Sequence, residues 1–93
     1  MNVKDLSPRV VVGRSIIISC PATGTPPPEI VWFRNRQILN VRAFNNMVLL
    51  AGGRQLRISN TKIDDTALYT CKAINKAGDY EVDFELQVLG RWS

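Results

Sequence analysis

The chain contains no histidine. That removes serine–histidine and cysteine–histidine nucleophiles, histidine acid–base work and most zinc sites. Cysteine is nearly as scarce. Cys20 and Cys71 stand 51 positions apart, so there is no CxxC pair of the metal or redox type. A glycine-rich phosphate loop is missing as well, as is a convincing carboxylate pair. Catalysis is left with few candidates, and the chain reads as a non-enzyme with no metal and no cofactor. Long apolar runs are also absent. Runs such as Val10 to Val12, Ile16 to Ile18 and Met47 to Ala51 have the length of strands, far below the ~18 residues of a membrane span. No membrane insertion of this segment is expected.

What remains is an ordinary globular composition. Ninety-three residues, 45% hydrophobic and 22% charged, suit one domain and leave no room for a second core. Residues 8–90 are expected to form it, with 1–7 and 91–93 as flanking linker. The stretch Met1 to Asp5 is short and polar and is no secretory leader, so the chain reads as a piece of a longer protein. The net charge of +4 comes from basic residues interleaved with acids rather than run together, the pattern of a solvated surface and not of a nucleic-acid footprint.

Period-two alternation dominates the chain. In Ser15 to Cys20, Ile16, Ile18 and Cys20 share one face, and Ile17 and Ser19 the other. Arg9 to Val12 makes a first short strand, turned by Gly13-Arg14. Thr23-Gly24-Thr25-Pro26-Pro27-Pro28 cannot join a ladder and reads as a stiff connection. Glu29 to Arg34 follows, with Ile30 and Trp32 opposed to Val31 and Phe33. Asn35-Arg36-Gln37 is a polar turn before a short strand at Ile38-Leu39. The periodicity lapses over Asn40 to Asn46. Met47 to Leu50 and Arg54 to Ser59 flank the turn Gly52-Gly53, with Leu56 and Ile58 inward. Thr61 to Asp65 is a crossing turn whose Ile63 is expected to plug the end of the core. Ala67 to Ile74 places Tyr69, Cys71 and Ala73 inward, and Asn75 to Gly78 turns it. The last strand sets Tyr80, Val82, Phe84, Leu86 and Val88 inward, between acidic and amide residues. About eight short strands without a helical period leave a sandwich or a barrel.

Tyr69 lies two residues before Cys71, and Trp32 lies 12 after Cys20, a spacing that resembles an immunoglobulin-type core. The resemblance extends from about Pro8 to Leu89 and is to the intermediate set (I-set) of immunoglobulin domains. It is carried by Gly13, Ile18-Ser19-Cys20, Gly24-Thr25-Pro26-Pro27-Pro28, Ile30-Val31-Trp32, Leu56-Arg57-Ile58, Asp65, Tyr69-Thr70-Cys71 and Ala73-Ile74-Asn75-Lys76-Ala77-Gly78. Two positions depart from the pattern. Ala67 stands where Gly is frequent, and the turn at Asn35 lacks Gly, which would put Asn35 at positive φ or lengthen the turn.

The resemblance implies an all-β, immunoglobulin-like sandwich of two antiparallel sheets with Greek-key connections. It also implies a disulfide between Cys20 and Cys71, packed on Trp32, and a corner closed by Tyr69. Domains of this kind occur as repeats in multi-domain adhesion and matrix proteins such as hemicentins, perlecan and neural adhesion molecules, and in giant intracellular muscle proteins. The implied role is a secreted or cell-surface module that binds other proteins and neighbouring domains of its own chain. The alternative is a cytoplasmic structural domain in which both cysteines stay reduced.

Residue parity then selects candidate sites. An outer face of Val31, Phe33, Thr70, Lys72, Ile74, Glu81, Asp83 and Glu85 has the apolar centre and charged rim of a protein contact. No Asn-x-Ser/Thr triplet occurs, so no N-glycan should cover it. Arg34, Arg36, Arg42, Arg54 and Arg57 could form a basic edge for heparan sulfate or another polyanion. Asp64 and Asp65 are too few oxygens for Ca²⁺, and Asp65 is read as capping the corner, with Arg42 or Arg54 as its salt-bridge partner.

Overall fold

A computed structural model describes residues 7–22, 24 and 26–91. Of the expected flanking segments 1–7 and 91–93, residues 1–6 and 92–93 lie outside the described residues, as do the loop residues Thr23 and Thr25. The eight strands are β1 Arg9–Val11, β2 Ile16–Ser19, β3 Glu29–Arg34, β4 Gln37–Ile38, β5 Met47–Leu50, β6 Gln55–Ile58, β7 Ala67–Asn75 and β8 Gly78–Leu89. They form a five-stranded sheet in the order β1-β8-β7-β3-β4 and a three-stranded sheet in the order β2-β6-β5. The chain changes sheet after β1, β2, β4 and β6, which is how a short sandwich covers both faces of one core. Every pairing is antiparallel except β1 with β8, which run parallel from Arg9↔Gln87 to Val11↔Leu89.

The core follows from the alternation. Ile18, Leu56 and Ile58 from one sheet face Trp32, Tyr69, Phe84, Leu86 and Val88 from the other, all buried. Each such side chain contributes about 1.5–3 kcal/mol of burial. Cys20 and Cys71 are joined across the sheets, closing a loop of 51 positions, and Trp32 pairs directly with Cys71. The indole of Trp32 also meets the ring of Phe84 at 6.1 Å between centroids.

Two residues expected inside are exposed. Tyr80 is 43% exposed, because β8 overhangs the sandwich beyond the end of β2, and its hydroxyl donates instead to the carbonyl of Pro21. Ile63 does not plug the core and is 52% exposed. It lies in a 3₁₀ turn, Ile63–Asp65, whose buried residue is Asp65. A turn this tight cannot send both side chains inward, and hydrogen bonding decides for the carboxylate: its Oδ2 accepts from Lys62 N–H at 2.9 Å and from Asn46 Nδ2 at 3.0 Å. Asp65 thus caps its corner as expected, but an amide and a backbone N–H, not an arginine, are its partners.

Candidate functional site

The outward residues of β3, β7 and β8 come together as parity requires. Val31 lies opposite Lys72, which lies opposite Glu81, and Phe33 lies opposite Thr70, which lies opposite Asp83. Val31 and Phe33 are half-buried, with Ile74 exposed at one end and Glu85 at the other. Thr70 does not present itself to solvent. It is 2% exposed, because its hydroxyl donates to Asp83 Oδ1 at 2.7 Å and the neighbouring side chains close over it.

Arg36 covers the other oxygen of Asp83, at 3.4 Å from Oδ2, and Lys72 lies 3.7 Å from Asp79. Pairs this exposed hold their members in place more than they stabilise the fold. Between Phe33, Arg36, Thr70 and Glu81 is a dimple of about 110 Å³. A partner's side chain could enter it, as interface anchors do.

Three further residues lie on this face: Leu68 and Asp79 continue the parity of β7 and β8, whereas Ile38 could not be placed by it. Ile38 on β4 pairs with Phe33 and is 73% exposed. Leu68 pairs with Glu85, and Asp79 with Ile74. Ile38 was hidden by the turn. With Asn35-Arg36-Gln37 read as three loop residues, β4 has no register against β3. In fact Asn35 and Arg36 alone turn the chain, with φ of 51° and 71°. That two-residue hairpin places Gln37 opposite Arg34 and Ile38 opposite Phe33. Asn35 tolerates the left-handed region, whereas Arg36 occupies it at some cost. The cost places a guanidinium over the outward face of β3, β7 and β8.

The five arginines do not form one edge. Arg36 serves the outward face of the five-stranded sheet, while Arg57, opposite Ile17 and Val48, serves that of the three-stranded sheet, and Arg54 precedes β6. Arg34 has turned toward the end of the core. Its guanidinium lies 5.5 Å from the Phe44 ring centroid and 6.0 Å from that of Tyr69, and it donates to the Asp64 carbonyl at 2.7 Å and to Tyr69 Oη at 3.4 Å. Arg42 lines the same shallow depression, together with Lys62, Asp64 and Asp65. Alternation cannot group these side chains, because Arg36 and Arg42 lie in turns, Arg54 precedes β6, and Arg34 and Arg57 belong to strands of different sheets.

Tyr69 completes the corner by donating from Oη to the carbonyl of Asp65 at 2.7 Å. Burial pushes its phenol above the ordinary value, and the hydrogen bond and charge of Arg34 offset only part of that rise.

Residues 3–88 match the family model of the immunoglobulin I-set domain, and the chain belongs to that family. It is 39% identical over 79 residues to Hemicentin-1 of Homo sapiens, covering 85% of this chain and 1% of that protein. To Neogenin of Homo sapiens it is 40% identical over 86 residues, covering 91% of this chain and 6% of that protein. The crystal structure of the titin M3 domain superimposes with a TM-score of 0.79 at 28% identity, covering 92% of this chain and 93% of that one. The chain therefore spans only a small part of the curated relatives it matches. I-set domains are binding modules rather than enzymes as a class, and the relatives include both adhesion-type and titin-like proteins.

Proposed function

We propose that this domain is a non-catalytic protein-contact module of a multi-domain extracellular matrix or cell-surface protein, folding as one unit over residues 8–90. It docks partners on the outward face of β3, β7 and β8. The observation that carries the reading is the grouping of Phe33, Val31 and Ile38 inside a rim of Arg36, Lys72, Asp83 and Glu81, with the dimple beside Phe33. The composition is that of an interface centre and its rim. An outside location is supported by the joined cysteines and by the likeness to Hemicentin-1 and Neogenin, which exceeds in identity the likeness to titin M3.

The test has two parts. Free-thiol titration of the denatured parent protein, taken from its native source, should find Cys20 and Cys71 unreactive. Two free thiols would instead favour a cytoplasmic structural domain. With a partner in hand, Phe33→Ala should weaken binding by about 1 kcal/mol or more while leaving the fold unchanged. Unchanged affinity would remove this face from consideration.

A further inference from the structure

The charges of this protein are sorted between its two sheets. The outward face of the five-stranded sheet carries five of the eight carboxylates in the sequence. Two of them, Asp83 and Asp79, are matched there by Arg36 and Lys72. Glu81 and Glu85 on β8 have no ion pair among the described residues and flank the apolar centre around Phe33.

The three-stranded sheet has the opposite character. None of β2, β5 and β6 contains a carboxylate. Its outward face sets Arg57 between its cross-strand neighbours Ile17 and Val48, which are 51% and 44% exposed. Arg54 stands exposed just before β6, and neither arginine has an ion pair among the described residues. Each face therefore has an aliphatic or aromatic centre beside unmatched charge, mainly acidic on the five-stranded face, where Arg9 opposite Gln87 is a basic exception, and basic on the three-stranded face.

We propose that these two faces bind each other across molecules, the five-stranded face of one copy receiving the three-stranded face of a second copy. Glu81 and Glu85 meet Arg57 and Arg54 around the apolar contact. This deepens the reading of the five-stranded face as a contact surface and rests on it. The charges dictate the geometry. Placing two five-stranded faces together would bring two sets of unmatched carboxylates to one interface, and two three-stranded faces would bring two sets of unmatched arginines. Like-charge juxtaposition of this kind disfavours both arrangements. The remaining front-to-back contact is heterologous. It leaves one face free on each outer copy, so it propagates as an open stack unless the rotation closes.

Sedimentation velocity of the isolated domain, whose core and cross-link lie within the described residues, provides the test. Association should weaken about tenfold between about 50 mM and about 300 mM NaCl, because the contacts lie at a screened rim. The doubly substituted E81K/E85K protein and the R57E protein should each be monomeric alone, with native circular dichroism. An equimolar mixture of the two should associate again, since every front then meets a back of opposite charge. A wild-type domain that stays monomeric at low salt overturns the proposal. So does R57E associating alone, which signals a front-to-front contact, or E81K/E85K associating alone, which signals back-to-back. A monomeric wild type whose Phe33→Ala variant still loses a separate partner overturns the self-contact only. Phe33→Ala without effect on either kind of binding overturns the contact face itself.

Discussion

Trp32 is tied to Gly53 by a hydrogen bond of 2.8 Å from its indole Nε1–H to the glycine carbonyl. The donor belongs to β3 of one sheet, and the acceptor to the Ala51–Gly53 turn joining β5 and β6 of the other. The ring thus fills the core beside Cys71 while its polar edge holds the far turn. Ala51, Gly52 and Gly53 all have positive φ, at 54°, 68° and 93°, which orients that carbonyl inward. Trp32→Phe keeps an aromatic ring and removes the donor. It should destabilise the fold by about 3 kcal/mol, from the lost volume together with an unsatisfied carbonyl. Chemical denaturation measures this, and a loss below about 1 kcal/mol would mean the bond is dispensable.

The Cys20–Cys71 bridge closes 51 positions, and loop-closure arithmetic assigns it about 4 kcal/mol. The C20A/C71A double variant should lose about that much in urea denaturation at equal protein concentration. A loss under about 1 kcal/mol would show that the unfolded chain is already constrained without it.

The raised pKa of Tyr69 predicts an alkaline limit to stability. Its folded pKa lies above the ordinary value of 10.0, chiefly because burial disfavours the phenolate. The stabilisation is therefore fully present below pH 10.0 and is lost as pH rises through the folded value. Tyr69→Phe should remove that alkaline decline, while lowering stability at neutral pH by about 1 kcal/mol through loss of the bond to the Asp65 carbonyl. Urea midpoints across neutral and alkaline pH distinguish the two effects. An alkaline decline unchanged in the variant would assign it to another group.

Arg36 holds a left-handed conformation, with φ of 71°, in a turn that suits Asn followed by Gly. Arg36→Gly should raise stability by about 0.5 kcal/mol, since relief of the backbone cost outweighs the exposed pair with Asp83. The same change should weaken binding at the β3–β7–β8 face. Thermal unfolding together with partner affinity tests both halves, and a destabilised variant would show the Asp83 pair to be worth more than surface pairs usually are.

Much of the fold was legible in the chain because alternation survives wherever one sheet face is wet. β3 and β5 begin and end where the pattern places them, and Val82 to Val88 are buried at every second position. The proposed contact face followed from the same parity, so Val31, Phe33, Lys72, Glu81, Asp83 and Glu85 emerged together. Parity states direction and not depth. It could not show that Asp83 and its neighbours bury Thr70, nor that Tyr80 extends past the core it seemed to join.

The sequence by itself determined the all-β architecture and most residues of the core, the two cysteines among them, because these depend on short periodicities and on spacings along one chain. Tertiary structure alone decided what depends on backbone turns and on distances between strands remote in sequence. The left-handed pair Asn35-Arg36 set the register that brings Ile38 to Phe33. The capped corner at Asp65 turned Ile63 outward. The separation of the sheets dispersed the five arginines, placing Arg36 and Arg57 on opposite sides of the sandwich, because residues close in the chain share a surface only when their strands share a sheet.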